Sequence, residues 1–179
     1  MSQIASTYAQ ALYDLAKDEN LTDEILQQLL TLTQAIDGEP DFLRLMGAAN
    51  LSKEERCQIL DDSFRGKVQP YVLNFMKILT EKGYFRHFSE CVSAYRSAYN
   101  ADHSILPVTA VTAIPLTEEQ SARLKEKLGN ITGKTIDLTC RTDPAVLGGM
   151  RLDYDGKRVD GTVQTRLDTV SKLLKNTVL

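Results

Sequence analysis

Apolar positions recur at helical spacing from the N-terminus to about residue 104, and at strand spacing beyond it. In the first segment Ile4, Tyr8, Ala11 and Leu15 share one helix face, while Ala5, Ala9, Leu12 and Ala16 share another. A second helix is predicted from Thr22, with Asp23 and Glu24 in the first turn, where the helix dipole favours acids. Its stripe is Ile25, Leu26, Leu29, Leu30 and Leu32, and Gly38 with Pro40 ends it. Pro40 to Met46 forms a short third helix closed by Gly47. Ser52 and Glu55 have capping-box spacing and open a fourth, which stops at Gly66. Pro70 suits the first turn of a fifth that runs to Lys82 and is ended by Gly83. Its stripe is Val72, Phe75, Met76 and Leu79, with Tyr71 and Ile78 off it. The sixth carries Phe85, Phe88, Val92, Tyr95 and Tyr99, widened by Cys91, Ala94 and Ala98. Six helices with short connections predict an antiparallel bundle.

The period changes at Ile105. Ile105 to Ile114 is rich in β-branched residues and reads as a strand, with Pro107 pointing to an edge or a bulge. Thr117 and Gln120 form another capping box, opening a helix to about Leu128, and Gly129 and Gly133 frame the next turn. Ile136, Leu138 and Cys140 alternate with polar residues, the mark of a half-buried strand. A hairpin and a final amphipathic helix on Val163, Leu167, Val170 and Leu174 complete a βαββα order. Two domains are therefore expected, residues 1–104 as a helical bundle and residues 105–179 as a small α/β unit.

The densest cluster of turn signals lies at residues 143–167. Asp143-Pro144 opens a turn, and Gly148-Gly149 permits close backbone approach or positive φ. Met150, Leu152 and Tyr154 then alternate with Arg151, Asp153 and Asp155. Asp155-Gly156 is a tight-hairpin signal. Asp160-Gly161 closes the second strand, and Thr162 offers an N-cap to the last helix, which carries Arg166.

Composition excludes several classes. Hydrophobic residues are 42% and charged residues 25% of the 179, ordinary for a globular chain. No apolar run is long enough for a membrane span, and the first residues lack a secretory or transit pattern, so a bacterial cytoplasmic setting is expected. A net charge of −3 argues against nucleic acid as a partner. The charge is divided unevenly. Residues 1–104 hold 10 Lys+Arg against 15 Asp+Glu, and residues 105–179 hold 11 against 9, the balance of a chain that bridges two different partners. Cys57, Cys91 and Cys140, odd in number and widely spaced, fit reduced thiols.

Catalytic chemistry finds little support. His87 and Cys91 are four apart, as in a thiolate–imidazole or metal pair, but two ligands do not complete a zinc site. Cys91 also lies beside an aromatic stripe, which favours a structural thiol over a small thiol redox protein. Asp153, Asp155, Asp160 and their glycines lack the spacing of a calcium loop, and Gly148-Gly149 lacks the rest of a phosphate-binding motif. Glu54-Glu55 and Asp61-Asp62 read as solvated helix faces. No cofactor or metal is expected. The first and fifth helices carry more apolar surface than one core contact needs. Either both are central in the bundle, or a groove lined by Ile4, Tyr8, Ala11, Leu15, Tyr71 and Ile78 accepts a partner's amphipathic helix.

The C-terminal run resembles the signature of the delta subunit of F-type ATP synthases, the oligomycin-sensitivity-conferring protein family. That family reads Asp-Pro-Ser-Leu-Ile-Gly-Gly, a strand, then Asp-Gly-Ser-Val and Arg-Leu. Here Ala145 stands for Ser, Val146-Leu147 for Leu-Ile, and Thr162 for Ser. Tyr8-Ala9-Gln10-Ala11-Leu12 is similar to the family's Tyr-Ala-x-Ala-Leu, and Thr80-Glu81-Lys82-Gly83 resembles its fifth-helix ending, with Tyr84 a departure. Val111 to Leu116 resembles its Val-x-Ser-Ala-x-Pro-Leu segment. The resemblance implies a non-catalytic stator joint. Its N-terminal bundle would hold the N-terminal helix of a catalytic-head alpha subunit through the groove just described. Its C-terminal domain would engage the peripheral-stalk b subunits. It would sit peripherally on the cytoplasmic face of a bacterial inner membrane, touching the membrane only through the complex. A helical-bundle adaptor outside ATP synthase is the other reading, with the Cys91 thiol protein behind it.

Overall fold

The computed structural model describes residues 3–48, 51–146 and 148–162. Among them the fold is mixed, a run of helices followed by a small sheet. The helices are α1 (Gln3–Asp18), α2 (Thr22–Gly38), α3 (Pro40–Met46), α4 (Lys53–Phe64), α5 (Pro70–Glu81), α6 (Phe88–Asp102) and α7 (Glu118–Thr132). The strands are β1 (Ile105–Thr112), β2 (Thr135–Thr142), β3 (Met150–Tyr154) and β4 (Lys157–Asp160). The chain divides into two compact units, Met1–Tyr99 and Asn100–Leu179. This division falls inside α6, a few residues before the change of period at Ile105. The final helix expected on Val163 to Leu174 lies outside the described residues.

Local chemistry sets the ends of the first unit's helices. Ser52 accepts the Glu55 amide at 3.1 Å, and Glu55 accepts the Ser52 amide at 2.8 Å, so the capping box at α4 is closed in both directions. A cap of this kind is worth about 1 kcal/mol. These bonds favour the ionised Glu55 carboxylate and lower its pKa. At the other end of α5, Gly83 has φ +74°, its amide donates to Thr80 O at 3.0 Å, and the Tyr84 amide reaches back to Leu79 O at 2.7 Å. That pairing is a Schellman stop, which needs left-handed backbone. Pro70 occupies the first turn of α5, as expected.

One apolar core joins the helices of this unit. Ala5, Ala9, Leu12 and Ala16 from α1 meet Ile25, Leu29 and Ile36 from α2, Val72, Phe75, Met76 and Leu79 from α5, and Cys91, Val92 and Tyr95 from α6. Phe85 and Phe88 stack at 5.8 Å, although the sixth helix starts later than the pattern predicts. Phe85–His87 is a tight 3-10 turn, and the α-helix begins at Phe88. Tyr95 is fully buried and satisfies its hydroxyl by donating to Thr22 O at 3.1 Å. Without that partner the buried hydroxyl would carry an uncompensated desolvation cost.

In the second unit the strand order is β2-β1-β3-β4, with β1 and β2 parallel and the other pairs antiparallel. Parallel neighbours need a crossover, which α7 supplies. Register places Leu106, Val108, Ile136, Leu138, Leu152 and Tyr154 on one sheet face, and Leu128 of α7 packs against it. The edge or bulge expected at Pro107 is corrected in part. β1 is a central strand, but its pairing with β3 begins only at Val108, so at Pro107 it has a neighbour on one side. Proline, lacking a donor, is tolerated where a ladder is incomplete. Gly129 is also not in a turn. It lies within α7, which continues to Thr132 and ends on Gly133 at φ +68°. The alternation in β2 fades along its length, from buried Ile136 to exposed Cys140.

Candidate functional site

Two places concentrate the sequence-derived candidates. The first is α1. Its small-residue stripe, Ala5, Ala9, Leu12 and Ala16, faces the core. The other apolar stripe is left toward solvent: Ile4 and Tyr8 are half-buried, Ala11 is exposed, and Leu15 is 39% exposed. On α5 the stripe Val72, Phe75, Met76 and Leu79 is buried, and the off-stripe Tyr71 and Ile78 are half-buried. Tyr8 packs against Tyr84, with ring centroids 6.1 Å apart, which ties α1 to the end of α5. Tyr84 holds that position because the Gly83 stop turns the chain there. The sequence marks Tyr84 only as a departure from the family pattern, so its pairing with Tyr8 comes from the fold.

The second place is the 143–162 segment, where each candidate does backbone work. The Asp143 amide donates to Thr112 O at 2.9 Å, and its carboxylate accepts the Ala145 amide at 2.9 Å, so Asp143-Pro144 turns the chain off β2 beside the end of β1. Asp155 and Gly156 have φ +47° and +69°, the primed geometry of a two-residue hairpin between β3 and β4. Gly149 has φ +82°, and a Cβ there would stand 2.6 Å from Gly161 O. The Gly161 amide donates to Met150 O at 3.0 Å, and Asp160 Oδ1 accepts the Thr162 amide at 2.9 Å. Gly148 is half-buried beside this crossing. Arg166 lies outside the described residues.

Charge in the hairpin is paired internally. Arg158 Nε donates to Asp153 Oδ1 at 2.7 Å across the strands, and Arg151 Nε stands 3.4 Å from the other carboxylate oxygen. The Arg158 hydrogen bond, then the nearby positive charges, hold the Asp153 carboxyl below the usual carboxylate range. A carboxylate committed in this way positions the hairpin; it is not a free ligand.

The thiol reading is overturned. Cys91 is 1% exposed, and burial pushes its thiol up to about 11, the opposite of an activated nucleophile. His87 does not serve it either. Its Nε2 accepts from Arg86 Nε at 3.2 Å, which leaves Nδ1 to donate to Glu90 at 3.2 Å.

A further cavity of about 550 Å³ opens on the first unit between α2, α3 and α4, lined by Ala35, Ile36, Glu39, Asp41, Phe42, Leu45 and Phe64. Periodicity misses it because α3 has only seven residues, too few to show which face is buried. The signal present in the sequence was the acidic run Asp37, Glu39 and Asp41 at a helix boundary.

Comparison with known proteins gives one consistent result. The family model described as ATP synthase delta (OSCP) subunit matches residues 4–174. The ATP synthase subunit delta of Lactobacillus gasseri is 32% identical over 173 residues, covering 96% of this chain and 94% of that protein. That of Alkaliphilus oremlandii is 29% identical over 171 residues, covering 96% and 95%. A chain in the cryo-EM structure of the Toxoplasma gondii mitochondrial ATP synthase hexamer superposes with a TM-score of 0.75 at 21% identity, covering 97% of this chain and 98% of that one. A chain of Polytomella F-ATP synthase, from a refinement of the F1 head and rotor, gives 0.53 at 16% over 57% of this chain and 90% of that one. At these identities the solved structures attest a shared fold.

Proposed function

The chain belongs to the ATP synthase delta (OSCP) family, and on that premise we propose how its two units divide the work of the joint. It is a non-catalytic stator component of an F-type ATP synthase. Helices α1–α6 act as an antiparallel bundle that holds the N-terminal helix of an alpha subunit. The β-sheet unit, together with the C-terminal residues, engages the peripheral-stalk b subunits. The protein sits peripherally at the cytoplasmic face of a bacterial inner membrane. Among the described residues no helix is long and apolar enough to cross a membrane, so the membrane contact in this reading is made by other subunits.

The observation that carries the reading is the second apolar stripe of α1. Its first stripe already satisfies the core, yet Ile4, Tyr8, Ala11 and Leu15 remain half-buried or exposed. An amphipathic helix laid on that stripe would bury it, in the helix-in-groove mode. Tyr71 and Ile78 of α5 form the other wall of the proposed groove. The mechanical demand on such a joint is resistance to torque, and rigidity in each unit serves it: a dense aromatic core in one, and backbone crossings locked by glycines in the other.

The test is reconstitution. Purified chain is added to membranes whose ATP synthase has been stripped of its delta subunit, and proton-coupled ATP synthesis is measured. Restored coupling, with the chain recovered on the alpha/beta head and on b, is the expected result. A chain that binds neither would overturn the assignment of partners.

A further inference from the structure

Among the described residues the sheet of the second unit ends on β2 at one side and on β4 at the other. The two edges are built differently. β4 has four residues and begins Lys157-Arg158, a short cationic edge of the kind that discourages pairing with another chain. β2 runs for eight residues, Thr135–Thr142, with no proline, glycine or lysine among them. Its last residues, Thr139 to Thr142, are exposed. A long edge with so little to guard it is a template for a further strand.

Two hydrogen bonds fix which backbone groups of β2 point outward. The Thr135 amide donates to Ser104 O at 3.0 Å, and the Asp143 amide donates to Thr112 O at 2.9 Å. β1 and β2 are in register from Ile105 with Thr135 to Thr112 with Thr142. The odd-numbered residues of β2 therefore turn their N–H and C=O groups toward β1. The even-numbered ones, Ile136, Leu138, Cys140 and Thr142, turn theirs to the open side. An antiparallel newcomer has to bond to these, which restricts the registers open to it.

One allowed register also matches the side chains. α7 packs near Ile136 and Cys140, so Asp137, Thr139 and Arg141 stand on the opposite face of the sheet. Asp137 and Arg141 lie two positions to either side of Thr139. Let a second β2 run antiparallel about a two-fold axis at Thr139. Leu138 then faces Cys140 of the second copy, Ile136 faces its Thr142, and Asp137 faces its Arg141. The charged pairs fall at non-hydrogen-bonded positions, where side chains approach most closely. Moving the axis to Leu138 sets Asp137 opposite Thr139, and moving it to Cys140 sets Asp137 opposite Asp143.

We infer that β2 is a self-association edge. Two copies of this chain join their β2 strands antiparallel about Thr139 into one continuous sheet, with an Asp137–Arg141 pair on each side of the axis. A second copy is the occupant because this one strand carries both charges at the spacing that its own two-fold mate requires. Opposite charges directly across a ladder stabilise it, and like charges oppose it. The pairing lies wholly within the second unit and is independent of the α1–α5 groove.

Sedimentation equilibrium of the full chain tests the pairing. The wild-type mass is expected to rise with concentration to twice the chain mass and no further, since a closed two-fold pair uses up the edge. Asp137→Arg sets arginine opposite arginine, and Arg141→Asp sets aspartate opposite aspartate. Each should weaken association on the order of tenfold or more. The double swap Asp137→Arg/Arg141→Asp restores opposite charges at unchanged net charge and should bring the dimer back. Crosslinking reads the register. In a Cys57→Ser/Cys140→Ser background, Thr139→Cys sets two thiols opposite each other at a Cα separation of about 4.5 Å, and mild oxidation should link them. Thr135→Cys should not crosslink, because its symmetry mate lies eight positions along the ladder, about 27 Å away. A chain that stays monomeric at every concentration, or a dimer indifferent to both single charge changes, would overturn the inference. So would a double swap that melts like wild type but stays monomeric, or a Thr135→Cys crosslink as fast as that of Thr139→Cys.

Discussion

Gly149 lies so close to Gly161 that a Cβ on the first would stand 2.6 Å from the carbonyl oxygen of the second and 3.0 Å from Thr162 Cα. The obstacle is backbone, which has little room to yield, and φ at Gly149 is +82°, where a side chain is strained in any case. Gly149→Ala should therefore cost on the order of 1–3 kcal/mol in the second unit. For a unit of this size that lowers the melting point by several degrees. Gly161→Ala should be milder, since its Cβ would meet Met150 O at 3.2 Å and its φ is not in the left-handed region. Amide exchange in β3 and β4, compared with α5 as an internal control, reads the effect in the right unit. Equal protection in wild type and Gly149→Ala would show that the crossing relaxes freely.

Acid should loosen the seam between α4 and α5. Lys77 Nζ meets Asp61 Oδ2 at 2.6 Å, with the Asp61 side chain 12% exposed. The Lys77 hydrogen bond is the main cause of a lowered Asp61 pKa, with Arg65 adding to it. A carboxyl whose folded pKa is depressed contributes stability above its unfolded pKa of roughly 4 and loses it as pH falls through the folded value. Urea midpoints should therefore drop below about pH 4, and Lys77→Met should flatten that part of the profile while lowering the midpoint at pH 7. A Lys77→Met profile parallel to wild type from pH 7 to pH 2.5 would remove this pair from the acid response.

The helices were legible because their boundaries are written in local chemistry: the Ser52–Glu55 and Thr117–Gln120 boxes, Pro70, and Gly83. The hairpin was legible because Asp155-Gly156 fits one kind of turn. What was not legible depended on neighbours distant in sequence. Pro107 looked like an edge marker because nothing local shows that β3 returns to pair from Val108 onward. Gly129 looked like a turn because glycine is a poor helix former, yet the stop needed the left-handed residue four positions on, at Gly133. In α1 periodicity alone offers two apolar faces and does not choose between them; the fold buries the alanine face and leaves Ala11 out. The Gly149–Gly161 approach was half visible, as a glycine pair with an unknown partner.

That choice of face in α1 makes the sharpest prediction. Ala9 and Ala11 are two residues apart, of one type and on one helix, but Ala9 is 1% exposed within the core and Ala11 is exposed. Ala9→Asp puts an unpaired carboxylate into the apolar interior, where desolvation is costly, and should collapse the first unit's melting transition. Ala11→Asp should leave melting near wild type. If Ile4, Tyr8, Ala11 and Leu15 receive the alpha subunit's N-terminal helix, Ala11→Asp places a charge against its apolar face. Spoiling a well-packed interface position costs on the order of 2 kcal/mol, about thirtyfold in affinity. Ile78→Asp, on the opposite wall, should weaken binding in the same direction, with a larger effect on stability because Ile78 is half-buried. Melting temperature and affinity for an alpha N-terminal peptide are measured on the same samples. Normal melting with weak binding in Ala11→Asp supports the groove. Normal melting with unchanged binding would mean that the exposed stripe of α1 serves something other than alpha.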